Sequence, residues 1–214
     1  MALKNTLKRG LFITFEGAEG SGKSTQIKLL EDYLKKKGAR VLVLREPGST
    51  KFSENLRRIL LDKRNGFLSE KTELLLYLAA RAQLVKEKII PALKEKKIVL
   101  CDRFQDSTLV YQGYGLGLDK KVIALLGGFV SEGARPDLTF LLDIPAEEGL
   151  SRAGGASDRI QERPLAYHRR VRNGYLKLAS ANPKRIKLIR AKDIQKTQKD
   201  IRNLINEFLS KIGD

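Results

Sequence analysis

The chain has 214 residues, 42% of them hydrophobic, with a single cysteine and a formal net charge of +17. That length and apolar content suit one α/β domain spanning residues 1–214 and exclude a disordered chain. No apolar run approaches the ~18 residues of a membrane span, and the lone Cys101 excludes an internal disulfide, as expected in a reducing, cytoplasmic compartment.

The N-terminal basic residues precede an apolar run, "LFITFE" (11–16), too short for a signal-peptide core and closed by an acid, so it reads as a first strand. A glycine-rich loop follows. "STQIKLLEDYLKKKG" then has a Ser/Thr start and a stop at Gly38, the end signals of a helix. "RVLVLR" (40–45) predicts a second strand, and "SEKTELLLYLAARAQLVKEKII" a helix capped by Ser69 and running to Pro91. "KIVLCD" (97–102), "DLTFLLD" (137–143) and "RIKLIR" (185–190) complete five strands. Several are apolar at nearly every position, as in strands covered on both faces. Cys101 reads as a buried strand thiol. Strand–helix alternation predicts an α/β, mainly parallel five-stranded sheet flanked by helices.

Charge is uneven: from Arg152 onward, 16 Lys+Arg face 6 Asp+Glu. Such a bias serves nucleic acid, an anionic surface or polyanionic small substrates. In the last helix, Ile194, Ile201, Leu204, Ile205, Phe208 and Leu209 form an apolar stripe. Its charges therefore read as a solvated face, and no nucleic acid or membrane partner is expected.

"FEGAEGSGKST" has the spacing G-x-x-x-x-G-K-S between a strand and a helix, which builds a nucleoside-triphosphate cradle. Its backbone, Gly17, Ala18, Glu19, Gly20, Ser21, Gly22, Lys23, Ser24 and Thr25, would surround phosphates. Lys23 would reach the β- and γ-phosphates, and Ser24 would hold Mg²⁺. Asp102, closing a strand, suits the same metal. Glu19 would be repelled if it faced the phosphates. It is expected to point outward, toward an acceptor and the metal's water shell, with a salt bridge to a neighbouring arginine as the alternative. Arg45 and Arg103 follow the second and third strands, where both could reach a second anion. Tyr77 and Arg81 share a helix face that would suit a flat base, although spacing alone favours a core tyrosine and a surface arginine. Thr108 and Tyr111 share another if "QDSTLVYQG" is helical.

"FEGAEGSGKST", "REPGST", "LLLYLAARAQL", "DRFQDSTLVYQGYGLG" and "RPDLTFLLDIPAEEGLSR" together resemble bacterial thymidylate kinases in order and spacing. The resemblance spans about residues 11–180 and implies a P-loop NTPase fold of the nucleoside monophosphate kinase type. The implied reaction is ATP + dTMP giving ADP + dTDP with Mg²⁺, in dTTP synthesis. Tyr77 would stack on thymine and Arg81 would bond its carbonyl edge. Thr108 and Gln112 would lie beside the acceptor, and Tyr111 would crowd the sugar's 2′ position. Arg45 and Arg103 would bind the acceptor phosphate, Asp102 would sit near the metal, and Glu19 near the 3′-hydroxyl. Similar family members form homodimers.

The acceptor is a phosphate monoester, largely dianionic at neutral pH. It needs no strong general base, so the lone His168 reads as a helix-surface or structural residue. Residues 152–164 read as a short lid loosened by Gly154 and Gly155, with Arg152, Arg159 and Arg163 available to the transferred group. The cradle has Gly20 where some related loops carry arginine, so a lid arginine is expected to act, with Arg159 of "DRI" the first candidate and Arg152 another. Ser49 departs from the usual "REPGG" and is tolerated unless that position needs a glycine-only backbone angle. The competing readings are a P-loop kinase of another nucleotide or deoxynucleoside, and a nucleic-acid-binding P-loop ATPase.

Overall fold

The computed structural model describes residues 7–154, 158–191 and 193–213. β1 (Leu11–Glu16) is buried at every position and forms the centre of a five-stranded sheet. Beside it lie β2 (Val41–Arg45), β3 (Ile98–Asp102), β4 (Leu138–Asp143) and β5 (Ile186–Arg190), in the order β2-β3-β1-β4-β5. All four ladders are parallel, so the expected "mainly parallel" sheet is wholly so. Each predicted strand is found, with bounds shifted by at most one residue.

Helices cover both faces, as parallel crossovers require. On one face α1 (Lys23–Lys36) and the last helix, α9 (Ile194–Gly213), cover Leu11, Ile13 and Phe15. Ile201 and Ile205 of α9 are wholly buried there, whereas Ile194 is 53% exposed and does not belong to the stripe. On the other face, α2 is Lys51–Leu61 and α3 is Glu70–Leu84. The Ser69 hydroxyl accepts from the Thr72 N–H and caps α3. The helix does not stop at Pro91. It passes through a π-helical turn, Val85–Ile89, into α4 (Ile90–Lys94), where Pro91 occupies the first turn and needs no N–H partner.

The chain leaves β1 toward β2 but leaves β3 toward β4, so the crossovers part between β1 and β3. That is where ligands enter such sheets, beyond the strands' carboxyl ends. Register aligns the ends: Arg45 lies beside Asp102, and Asp102 beside Phe15. After β3, α5 (Gln105–Thr108) runs into a π-helical segment, Leu109–Gly115. "QDSTLVYQG" is therefore helical throughout, with a wider turn at its end. α6 (Lys120–Val130), α7 (Ala146–Ala153) and α8 (Leu165–Ala181) follow. Gly155 of the expected lid lies outside the described residues.

Candidate functional site: a phosphate loop beside a base-sized pocket

Two cavities open at the carboxyl end of the sheet. One is bounded by the loop residues Glu19 to Thr25 together with Arg45, Asp102 and Arg152. The other is bounded by Tyr77, Arg81, Phe104, Thr108, Tyr111 and Gln112. Glu19, Glu46, Arg57 and Arg103 border both.

The loop turns through glycines. Gly22 is the N-cap of α1 at φ 86°, a left-handed angle that only glycine adopts freely, and no side chain caps the helix. The first N–H groups of α1 therefore remain free for an anion. Gly20 has φ 65°, and a Cβ there would lie 2.0 Å from the Gly149 carbonyl of α7. An arginine cannot occupy that position without displacing α7. Lys23 folds back into the loop, donating to the carbonyls of Gly17 at 3.1 Å and Ala18 at 2.9 Å. Burial, with nearby Arg103, lowers its pKa to about 8. Ser24 Oγ donates to Asp102 Oδ2 at 3.0 Å, while Asp102 Oδ1 is buried without a partner. A hydroxyl and an incompletely satisfied carboxylate are hard oxygen donors that fit Mg²⁺.

Glu19 lies on the acceptor side of the loop and is also ion-paired. Its Oε1 accepts from Arg103 Nη2 at 3.0 Å and from the Tyr111 hydroxyl at 2.9 Å. Burial would raise its pKa, but the charges of Arg103 and then Lys23 outweigh that and hold it near 2. Arg103 adopts φ 71° and donates Nη1 to the Gly17 carbonyl, which aims the guanidinium across the border between the cavities.

The base-sized pocket is built from side chains that pair with one another. Arg81 is 1% exposed. Its Nε meets Glu46 Oε1 at 2.6 Å, its Nη2 meets Thr108 Oγ1 at 2.5 Å, and its Nη1 donates to the side-chain Oε1 of Gln105. The Phe104 ring lies under its guanidinium at 4.9 Å. Tyr77 is half-buried on the pocket wall, and burial, then Glu73, raises its pKa. Gln112 donates Nε2 to Glu73 at 2.9 Å.

Sequence reasoning missed several of these groups. Arg57 is half-buried on α2 and lines both cavities. Its signal was its position on the helix face that buries Ser53 and Leu60. Glu46 and Glu73 gave no signal, since acids at a strand end and in a helix's first turn are ordinary.

Arg45 is exposed, borders the phosphate-side cavity but not the base-sized pocket, and pairs with Glu54 at 2.9 Å. Ser49 does occupy a left-handed position, φ 68°. Its hydroxyl compensates by accepting from the Arg45 N–H at 2.8 Å, and its own N–H donates to Glu54 at 2.8 Å.

The expectation for the lid needs correction. Arg159 is not at the phosphate loop. It is 8% exposed and held by Glu73 at 2.7 Å and by the Leu60 carbonyl at 2.9 Å. Arg163 meets the same Glu73 oxygen at 2.6 Å. Burial favours this arrangement because Glu73, 0% exposed, requires a counter-charge. Arg152, on the last turn of α7, borders the phosphate cavity. His168 is buried in α8, and burial lowers its pKa.

Comparison with known proteins agrees with this geometry. A sequence profile described as "Thymidylate kinase" matches residues 15–201. A thymidylate kinase of Thermoanaerobacter sp. (strain X514) is 48% identical over 203 residues, covering 94% of this chain and 100% of that protein. One from Geotalea uraniireducens is 50% identical over 188 residues, covering 84% of this chain and 88% of that protein. The crystal structure of a thymidylate kinase from Ehrlichia chaffeensis superposes with TM-score 0.76 at 36% identity, covering 92% of this chain and 98% of that one. With a P-loop, a neighbouring base-sized pocket and similarity over nearly its whole length, the chain belongs to the thymidylate kinase family.

Proposed function

We propose that the two cavities divide the reaction of this family, ATP-dependent phosphorylation of dTMP to dTDP, between donor and acceptor. The loop from Gly17 to Thr25 holds the ATP phosphates with its N–H groups and with Lys23, which leaves the loop carbonyls for the richer anionic ligand. Tyr77, Arg81, Thr108 and Gln112 receive thymine, and Tyr111 with Glu19 receives the deoxyribose. Arg103 and Arg57 stand on the border and bind the acceptor phosphate, with Arg45 beside them. Ser24 and Asp102 would hold Mg²⁺, which would supply positive charge to neutralise the charge developing on the transferred group. The protein's own contribution is alignment and electrostatics: two anionic phosphates approach only because Lys23, Arg103, Arg57 and Arg152 offset their repulsion. No side chain need remove a proton, since the acceptor is already an anion.

The observation that carries this reading is the arginine-lined border between phosphate loop and base-sized pocket. The test is diphosphate formation from ATP and a panel of nucleoside monophosphates. dTMP is expected to be the best acceptor, and a better purine, ribonucleotide or nucleoside acceptor overturns the assignment.

The chain from 1 to 214 acts as one catalytic domain in this reading, and pairs with a second copy. α3 and α6 carry Leu75 at 57% exposure, Leu125 at 74% and Phe129 at 81%, an apolar face that a homodimer would cover. A monomer by sedimentation at micromolar concentration would remove that part.

A further inference from the structure

Gln112 has two ends, and only one can face a ligand. Glu73 occupies the space behind it, with both oxygens engaged. Oε2 is ion-paired with Arg159 Nη2 at 2.7 Å and accepts from Arg163 Nη2 at 2.6 Å, and Oε1 accepts from Gln112 Nε2 at 2.9 Å. A carboxylate held by two guanidiniums offers only lone pairs. Gln112 must therefore present its NH₂ to Glu73, whichever way its amide is drawn. Its carbonyl oxygen is left for the pocket that Gln112 lines. Across that pocket, Arg81 offers only N–H donors. The Thr108 hydroxyl accepts from Arg81 and so has its own proton free to donate.

We infer that Glu73 is a positioning residue for base selection: it fixes the Gln112 carbonyl toward the acceptor base, so that the pocket presents an acceptor next to donors. A 4-oxo pyrimidine with a protonated N3 presents the complement, a carbonyl oxygen beside an N–H. A 4-amino pyrimidine reverses both groups, facing N–H against N–H and lone pair against lone pair. Such a double mismatch leaves buried polar groups unpaired and is rejected far more strongly than a missing methyl group. The ion pairs also tie selection to residues 159–163 of the lid segment, since Arg159 and Arg163 hold the oxygen that leaves Oε1 for Gln112. This rests on the dTMP reading above.

The experiment compares kcat/KM for dTMP and dCMP in the wild type, Glu73→Asp, Glu73→Gln and Gln112→Met, with thermal unfolding as a check on folding. Asp keeps the charge for Arg159 and Arg163 but withdraws the carboxylate from Gln112 by one methylene. Gln removes the charge and lets the paired amides flip. Both are expected to lower the dTMP:dCMP preference by about tenfold or more, through KM for dTMP and with KM for ATP unchanged. Gln112→Met should lose the same preference, and adding Glu73→Asp to it should change the ratio no further. A proportional fall for both acceptors makes Glu73 a purely structural group and overturns the inference, as does an additive double variant. An unchanged ratio in Gln112→Met overturns it even if both Glu73 variants unfold. Failure of the wild type to phosphorylate dTMP would instead overturn the underlying reading.

Discussion

The phosphate loop and the base-sized pocket adjoin, but they are made differently. The loop is contiguous chain, and its working groups are backbone N–H groups positioned by glycines, with Lys23 turned inward onto loop carbonyls. The pocket draws Glu46 from the end of β2, Tyr77 and Arg81 from α3, and Thr108 and Gln112 from the helical segment after β3, with the buried Arg81–Glu46 ion pair at its centre. Removing a loop side chain should therefore cost catalysis, whereas removing a pocket side chain should also cost the fold.

The largest expected effect tests that contrast directly. Arg81→Met leaves Glu46 at 2% side-chain exposure without its counter-charge, and Glu46 Oε2 already lacks a partner. Losing one member of a buried pair costs roughly 3–5 kcal/mol of stability. Chemical denaturation measures it, and adding Glu46→Gln should recover most of the loss, because a neutral amide needs no cation. An Arg81→Met variant as stable as the wild type would make the pocket a passive surface.

Two arginines of the lid segment come next. Arg152 is exposed at the phosphate cavity and pairs with Glu148 one turn earlier on α7. Arg152→Ala is expected to lower kcat about 10²-fold, the scale of one lost transition-state donor, with the melting temperature unchanged. Arg159→Ala should do the reverse. It lowers stability, softened because Arg163 still pairs with Glu73, and its loss of kcat is smaller. Equal kcat losses at both sites would mean that Arg159 leaves Glu73 during turnover.

The same contrast explains what could be read from sequence. All five strands were legible because burial on both faces imposes apolar runs, and the loop was legible because its geometry is local. Helical spacing puts Tyr77 and Arg81 on one face, but spacing alone favours a core tyrosine and a surface arginine, and only the family resemblance pairs them with a base. Glu46 was not legible, because its partner Arg81 lies 35 residues away and is reached only when α3 packs over β2. The place of Arg159 beside Glu73 was not legible for the same reason. An arginine in a glycine-bearing segment looks free until the buried Glu73 of α3 is seen to need it. Arg57 was overlooked although it lies on the face of α2 that buries Ser53 and Leu60.

The smallest effect concerns Glu16 and Glu19, which end β1 and begin the loop with opposite electrostatics. Glu16 is 1% exposed and accepts from the Phe104 N–H at 2.8 Å, Ser107 Oγ at 2.5 Å and the Tyr175 hydroxyl at 3.0 Å. Burial, then the charge of Asp106, raises its pKa to about 7, against these hydrogen bonds. A carboxyl whose folded pKa exceeds its unfolded value binds more protons in the native state. Stability from this site therefore falls as pH rises from about 4.5 to 7. Glu19, held near 2, acts in the other window: its stabilisation is complete above about 4.5 and is lost as pH falls toward 2. Between pH 5 and pH 7 Glu19 contributes a nearly constant amount, so Glu16 can be isolated. His168, whose pKa burial lowers, changes stability in the opposite sense but equally in wild type and variant. Glu16→Gln keeps an acceptor for the Phe104 N–H and offers an NH₂ to the Ser107 and Tyr175 oxygens, whose protons can rotate away. Relative to this variant, the wild type is expected to lose on the order of 2 kcal/mol between pH 5 and pH 7. Denaturation of both proteins at the two pH values measures the difference. Parallel curves would mean that Glu16 stays ionised throughout, with the nearby Arg103 charge outweighing its burial.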